Sequence, residues 1–364
     1  MRIGIDARLW DQTGVGRYTR NLIKNLSLID KKNEYFLFVR PEDSEKIRQT
    51  LRNDRFHYIP VNFKWHSILE QTEFPNFLKK QKLDLMHFPY FSVPVFYNRP
   101  FVVTIHDLII NHFSTGRAST LLYPLYLGKL FSYKFVIGKA AKNAVKIIAP
   151  SQATKDEVVD HLKVKPEKIV VTYEGPDEDI SLQKVKDLKL GKYFLYVGNA
   201  YPHKNLERLI LAFNELNKEQ KDIKLILVGG KDYFYKRLTK ESDNPNVVFY
   251  GKAKDEELSS LYSNATALVM PSLMEGFGLP VLEAMSLKCP LIISDIPSLR
   301  EIAGNNAIYF NPKSLEDIKA ALEKGLKGEA GEAVEKAYEK SKEFSWQKMA
   351  EETLKVYESS VSLR

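Results

Sequence analysis

Apolar runs of strand length alternate with helical patterns along almost the whole chain, and no other feature constrains the fold as tightly. Such alternation builds βα units, whose strands pair in parallel and whose helices cover the sheet. In the first half the expected strands are Arg2 to Asp6, Tyr35 to Val39, His57 to Val61, Leu85 to Phe88, Phe101 to Ile105, Val145 to Ala149 and Ile169 to Thr172. A first helix is expected from about Arg17 to Ile29, because Tyr18, Leu22, Leu26 and Ile29 recur at helical spacing. The acidic, turn-rich segment Glu174-Gly175-Pro176-Asp177-Glu178-Asp179 then interrupts the pattern. Strands resume at Tyr193 to Val197, Lys224 to Val228, Val247 to Tyr250, Ala267 to Met270 and Leu291 to Ser294.

At roughly 100–200 residues per domain, the 364 residues divide into two Rossmann-like, doubly wound α/β domains. The expected boundaries are 1–175 for the first, 176–190 for a linker and 191–344 for the second. A last helix within 345–364 has no strand after it and is expected to pack back on the first domain. Ligands of such sheets bind outside the carboxyl ends of the strands.

Composition narrows the class. With 44% hydrophobic and 27% charged residues the chain is neither disordered, collagen-like nor a disulfide scaffold. The single cysteine, Cys289, supports no disulfide framework or cysteine zinc site and fits a reducing compartment. No apolar leader follows Met1 to Asp6, and the most apolar stretch, Leu121 to Gly138, is broken by Lys129 and Lys134. A cytoplasmic protein with no membrane span is expected, and no nucleic-acid partner.

The net charge of +8 is unevenly spread. Residues 1–190 hold 30 Lys/Arg against 21 Asp/Glu, and the remainder 24 against 25. From Leu108 to Lys155 seven bases precede any acid, interleaved with Phe113, Tyr123, Tyr126, Phe131, Tyr133 and Phe135. This stretch 108–155 suits peripheral contact with anionic membrane, a groove for a charged acceptor, or a solvated face.

The sharpest chemical motif runs from Pro271 through Glu275, Gly276, Phe277, Gly278 and Leu279 to Glu283. It follows an apolar strand and opens a helix, with Pro280 suited to the first helical position and Glu283 expected in the first turn. The N–H groups of a glycine turn, together with the positive helix end, make an anion site fit for a phosphate. Two other readings remain: Glu283 as a first-turn acid complementing the dipole, or the two glutamates as a glycosidase pair.

A second strand-to-helix junction holds Gly198, His203 and Lys204. A lysine at a helix start opposes the dipole unless an anion is near, so Lys204 points to a phosphate or snorkels into solvent. Gly14 and Gly16 resemble part of a dinucleotide fingerprint, but the preceding strand ends at Asp6 and the acid that should follow, Glu34, begins a strand instead of ending one. They are read either as a backbone loop approaching a ligand or as a plain helix entry. His106, beside Asp107 at a strand end, is a catalytic or structural candidate. No metal is expected, since the histidine pairs lack zinc spacing and Asp177 to Asp179 read as solvated charge.

Taken together, Gly198 to Asn205, Lys224 to Gly230, Val247 to Gly251 and above all Glu275 to Glu283 resemble glycosyltransferase family 4, retaining enzymes of the GT-B fold, whose two domains face each other across a cleft. Ile3 to Arg8, Gly14 to Tyr18, Thr104 to Asp107 and Pro150 to Thr154 are similar to a branch that includes bacterial O-antigen mannosyltransferases. The resemblance implies that Glu283 binds ribose hydroxyls of a donor nucleotide and that Glu275 lies near the donor sugar. Lys204 and Gly276 to Leu279 would hold the diphosphate, while Gly14 to Gly16 and His106 close on the sugar from the other domain. It also implies a glycan or lipid-linked acceptor, and no cofactor, the nucleotide sugar being a substrate. One departure is Asn199, where the family often has Arg; phosphate neutralisation then rests more on Lys204, aided by His203. A nucleotide-sugar epimerase and a non-catalytic nucleotide-sugar-binding protein remain as alternatives.

Overall fold

The computed structural model describes every residue except 13, 52, 114–122, 178, 179, 181, 182, 231, 363 and 364. The chain forms two units: Met1–Leu108 with Leu121–Glu174 and Ser345–Arg364, and Ile109–Thr120 with Gly175–Phe344.

Strands of the first unit are apolar almost without a break, as strands covered on both faces must be. They are β1 (Arg2–Asp6), β2 (Glu34–Val39), β3 (Phe56–Pro60), β4 (Leu85–Phe88), β5 (Phe101–Thr104), β6 (Lys146–Ala149) and β7 (Ile169–Val171). All pair in parallel, in the order β3-β2-β1-β4-β5-β6-β7. β1 sits between β2, with Ile5 opposite Leu37, and β4, with Ile5 opposite His87. Gly4 lets the core close over it: a Cβ would lie 2.6 Å from both Leu83 Cδ1 and Met86 Sδ, and those side chains would have to shift. Phe38, Phe74, Phe88, Val103, Ile137 and Ile147 form part of the core beside the sheet. The final helix, Trp346–Ser362, packs against the helix Gly14–Ile29 within this unit and buries Trp346, Met349 and Tyr357.

The second unit repeats the architecture with β8 (Lys192–Val197), β9 (Ile223–Val228), β10 (Val247–Gly251), β11 (Ala267–Met270), β12 (Leu291–Ser294) and β13 (Ile308–Phe310), in the order β10-β9-β8-β11-β12-β13, again all parallel. The expected strands are found within one residue at either end. β13 escaped the reading because three residues carry no periodicity. Residues 109–112, which lie inside the range 1–175 expected for the first domain, form a short helix that groups with the second unit.

Both sheets reverse winding direction once. The reversal lies between β1 and β4 in the first unit and between β8 and β11 in the second. Beyond the carboxyl ends of such a strand pair the following loops diverge, leaving a crevice for a ligand.

Candidate active site

The loops leaving β8 and β11, on the two sides of the second reversal, carry most of the residues expected at a donor site. Gly198 ends β8 with its N–H on the Val228 carbonyl at 2.9 Å. A Cβ on Gly229 would fall 2.0 Å from the Gly198 oxygen, so only glycine permits this approach of the two turns. After a short 3₁₀ turn, Pro202–Lys204, Asn205 adopts a left-handed conformation (φ 61°) that asparagine tolerates better than most residues. Its side-chain amide donates to the carbonyls of Pro271 (3.0 Å) and Pro312 (2.8 Å), while Leu273 N–H donates to the His203 carbonyl (2.8 Å). The two loops are thereby stitched together.

That stitching joins two residues the sequence had assigned separately. Lys204 Nζ lies 2.6 and 2.8 Å from the two oxygens of Glu275, and Ser272 Oγ donates to Glu275 Oε1 at 2.6 Å. The anion that Lys204 requires is, in this structure, the Glu275 carboxylate. Burial alone would raise the Glu275 pKa, but the charge and hydrogen bond of Lys204, with Ser272, hold it below the ordinary carboxylate range. His203 is pushed down to about 4 by burial and then by the neighbouring Lys204 charge, so it is neutral near pH 7 and does not supply a second cation.

From Glu275 the chain passes through Gly276 and Phe277 to Gly278, the N-cap of the helix Leu279–Ser286, at φ 118°. A Cβ there would also meet Leu299 Cδ2 at 2.7 Å. Pro280 has no N–H, and the Val281 and Leu282 N–H groups donate to the Gly278 carbonyl at 2.9 and 3.2 Å, so the helix start acts on an anion chiefly through the positive end of its dipole. The Phe277 ring is buried, edge-on to Phe344 at 6.0 Å, which leaves its main chain to line the turn. Because the helix starts at Leu279, Glu283 is its fifth residue and opens the second turn, not the first as expected. The dipole effect fades beyond the first turn, which weakens the reading of Glu283 as a dipole partner. Glu283 is buried and accepts a hydrogen bond from the Tyr262 hydroxyl at 2.8 Å.

The first unit holds the other expected residues. Gly14 and Gly16 lie in the first turn of the helix Gly14–Ile29, not in a loop. Gly16 is fixed by backbone contact, since a Cβ would come within 2.5 Å of the Trp10 carbonyl and 2.6 Å of that of Leu9; around Gly14 a Cβ meets nothing within 4 Å. Just before this helix, Arg8 is buried and clamps Asp6 through two hydrogen bonds (2.8 and 2.7 Å), reaching Glu70 at 2.8 Å and the Phe63 carbonyl at 3.0 Å. The Ile3 to Arg8 motif is thus a structural anchor at the end of β1.

His106 follows β5. Its Nε2 lies 3.0 Å from the Pro89 carbonyl and its Nδ1 3.3 Å from Glu174 Oε1. Burial opposes its charged form, but the hydrogen bond and charge of Glu174 outweigh that and raise its pKa above the ordinary imidazole value. The Tyr18 ring meets it edge-on, with centroids 4.9 Å apart. Beneath runs a buried chain: Tyr18 hydroxyl to Thr104 Oγ1 (3.1 Å), Thr104 to His87 Nε2 (2.8 Å), His87 Nδ1 to the Tyr357 hydroxyl (2.6 Å). Burial, and then the His106 charge, push His87 down to about 3.

Sequence reading missed Glu174, His87 and Tyr357. Glu174 was absorbed into an acidic turn, though its place three residues past the end of β7, near a strand's carboxyl end, was a signal. His87 sits inside an apolar strand, and Tyr357 pairs with it across 270 positions of sequence, which no local pattern reveals.

Comparison with known proteins agrees with both halves. Residues 12–180 match the family described as Glycosyltransferase Family 4, and residues 178–344 that described as Glycosyl transferases group 1. The chain is 31% identical over 237 residues to the O-antigen chain mannosyltransferase RfbU of Salmonella typhimurium, covering 64% of this chain and 62% of that protein, slightly less than two thirds of its length. It is 25% identical over 373 residues to the O-antigen chain mannosyltransferase B of Escherichia coli, covering 95% and 96%. Among solved structures, the sucrose-phosphate synthase of Thermosynechococcus elongatus superposes with a TM-score of 0.78 at 18% identity over both whole chains. WaaG, a glycosyltransferase involved in lipopolysaccharide biosynthesis, does so with a TM-score of 0.72 at 16% identity over 98% and 99% of the two chains.

Proposed function

The chain belongs to the glycosyltransferases of the GT-B fold and resembles the O-antigen mannosyltransferases, and on that premise we propose that it moves a mannosyl group from GDP-mannose, with retention of configuration, to a glycan or lipid-linked acceptor in cell-surface polysaccharide synthesis. The observation that carries this reading is the Lys204–Glu275 pair beside a glycine-opened helix start at a winding reversal. Cleavage of a sugar–diphosphate bond develops negative charge on the leaving group. The positive end of the helix dipole and the Lys204 ammonium meet that charge as it forms, which is where fixed charges and dipoles are worth most. Lys204 does this by dividing its donors between Glu275 and phosphate oxygens.

In this reading Glu275, held ionised by Lys204 and Ser272, borders the donor sugar, and Glu283 takes the ribose hydroxyls from its buried place beside Tyr262. The first unit contributes His106 to the transfer. The ammonium and the helix end supply the positive charge a divalent metal would bring, so the reaction is metal-independent. A panel of nucleotide sugars tests the donor by thermal shift, since a ligand bound only to the folded state raises the midpoint. GDP-mannose is expected to give the largest rise, unchanged by EDTA. An equal response to every nucleotide sugar, or one abolished by EDTA and restored by manganese, contradicts the assignment.

We also propose that the first unit works on the cytoplasmic face of an anionic membrane. No helix among the described residues is long and apolar enough to cross one. The helix Tyr123–Asn143 turns Tyr133, Ile137, Ala140 and Ala141 into the core and leaves Leu127, Phe131 and Phe135, at i, i+4 and i+8, exposed among Lys129, Lys134, Lys139 and Lys142. An outward apolar stripe, two of its three members aromatic and its neighbours lysines, suits a headgroup layer.

A further inference from the structure

His106 differs from its neighbour His87 in one chemical respect. His87 meets two hydroxyls, each able to donate or accept, and a neutral ring satisfies both. His106 has an acceptor at each ring nitrogen: the Pro89 carbonyl at Nε2 and the Glu174 carboxylate at Nδ1. A neutral imidazole carries one N–H and leaves one of these acceptors facing a lone pair, whereas the imidazolium donates to both. Glu174 itself is 4% exposed, and a buried carboxylate needs a counter-charge.

We propose that Glu174 is a positioning residue that holds His106 in its doubly protonated form, so that the ring stands at the carboxyl edge of the first sheet as a fixed cation and not as a proton acceptor. This rests on the reading of His106 as part of the transfer site. Other groups facing the ring fit the same state. Asp107, next in the chain, adds negative charge; Tyr18 presents its ring edge; and Thr154 Oγ1, from the helix Gln152–Leu162, donates to the His106 carbonyl at 3.2 Å and fixes the main chain. His87 is a further titratable neighbour among the described residues, and because it stays neutral it leaves His106 as the cation of the pair. Such a cation favours anionic oxygen, and its loss sets the alkaline limit of turnover.

Glu174→Gln tests this, because the amide oxygen still accepts from Nδ1 while the charge is gone. The full-length protein is labelled with ¹⁵N-histidine and titrated by NMR, with His106→Asn identifying the resonance among the seven histidines. In wild type both His106 nitrogens are expected to carry protons at pH 7. In Glu174→Gln the midpoint falls by about one to three pH units, the alkaline limb of the turnover profile moves by the same amount, and Glu174→Asp restores much of both. A His106 that is neutral at pH 7 in wild type, or that titrates identically in wild type and Glu174→Gln, overturns the proposal. A midpoint that moves while the turnover profile stays still removes His106 from the transfer and the positioning role with it, leaving the donor site in the second unit untouched.

Discussion

Lys204→Ala removes the ammonium that lies 2.6 and 2.8 Å from the two oxygens of Glu275. The two side chains are only 13% and 8% exposed, so the stranded carboxylate keeps the Ser272 hydroxyl but loses its counter-charge. Breaking a buried pair from one side costs about 3–5 kcal/mol, and the residual exposure of both groups puts this case near 3 kcal/mol. The loss has a definite pH dependence. In wild type the folded pKa of Glu275 is depressed, so its contribution is complete above the unfolded value, about 4.5, and is lost as pH falls through the folded one. In the variant burial prevails and the folded pKa rises above the unfolded value. The penalty then stands at neutral pH and is relieved as the carboxyl takes a proton. The gap between the proteins is therefore widest at pH 7 and narrows toward pH 4.5. Trp10, Trp65 and Trp346 all belong to the first unit, so tryptophan fluorescence misses the effect. Native-state hydrogen exchange of the β8 and β11 amides reads it in the second unit. A gap that is constant with pH, or that widens toward acid, refutes a charge-paired Lys204 and Glu275.

Other consequences follow from the same contacts. Glu283→Ala should weaken binding of free GDP by about 1.5–3 kcal/mol, the worth of hydrogen bonds to a charged group, whereas Glu275→Gln, which releases Lys204 from its carboxylate, should bind GDP several-fold more tightly and lose turnover; calorimetry with GDP beside transfer kinetics separates the two. His87, held near 3 in the folded state, should cost the first unit about 2 kcal/mol between pH 6.5 and pH 5, because the unfolded chain binds the proton that the native one refuses. Urea unfolding followed by tryptophan fluorescence should show that slope, and His87→Asn should flatten it. Replacing Lys129, Lys134, Lys139 and Lys142 by Gln should abolish flotation with anionic liposomes, to which each lysine contributes roughly 1 kcal/mol; flotation independent of anionic lipid, or unaltered in that variant, rejects the membrane reading.

The βα alternation was legible because a strand covered on both faces must be apolar throughout, and such runs stand out between Glu34 and Val39 or Ala267 and Met270 without any partner being known. The glycines were legible for a related reason: Gly198 and Gly278 stand where a chain must turn sharply, and only small residues permit the approach seen there. What the sequence could not convey was pairing at a distance. Lys204 and Glu275 were each visible, but their ion pair depends on Asn205 tying one loop to the carbonyls of Pro271 and Pro312. Glu174 was read only as the start of an acidic, turn-rich segment until folding placed it against His106. The extent of the first helix was misjudged because two glycines near its start look like a loop, although Gly16 is helical and excluded from any larger residue by the Leu9 and Trp10 carbonyls.

The most direct test of the central claim is product analysis after incubating the protein with ¹³C-mannose-labelled GDP-mannose and a lipid-linked glycan acceptor. The account predicts that label leaves the nucleotide, joins the acceptor through an α-linkage that keeps the anomeric configuration of the donor, and releases GDP in equal amount. Label recovered as a different nucleotide sugar, as free mannose alone, or wholly as unchanged GDP-mannose would contradict it.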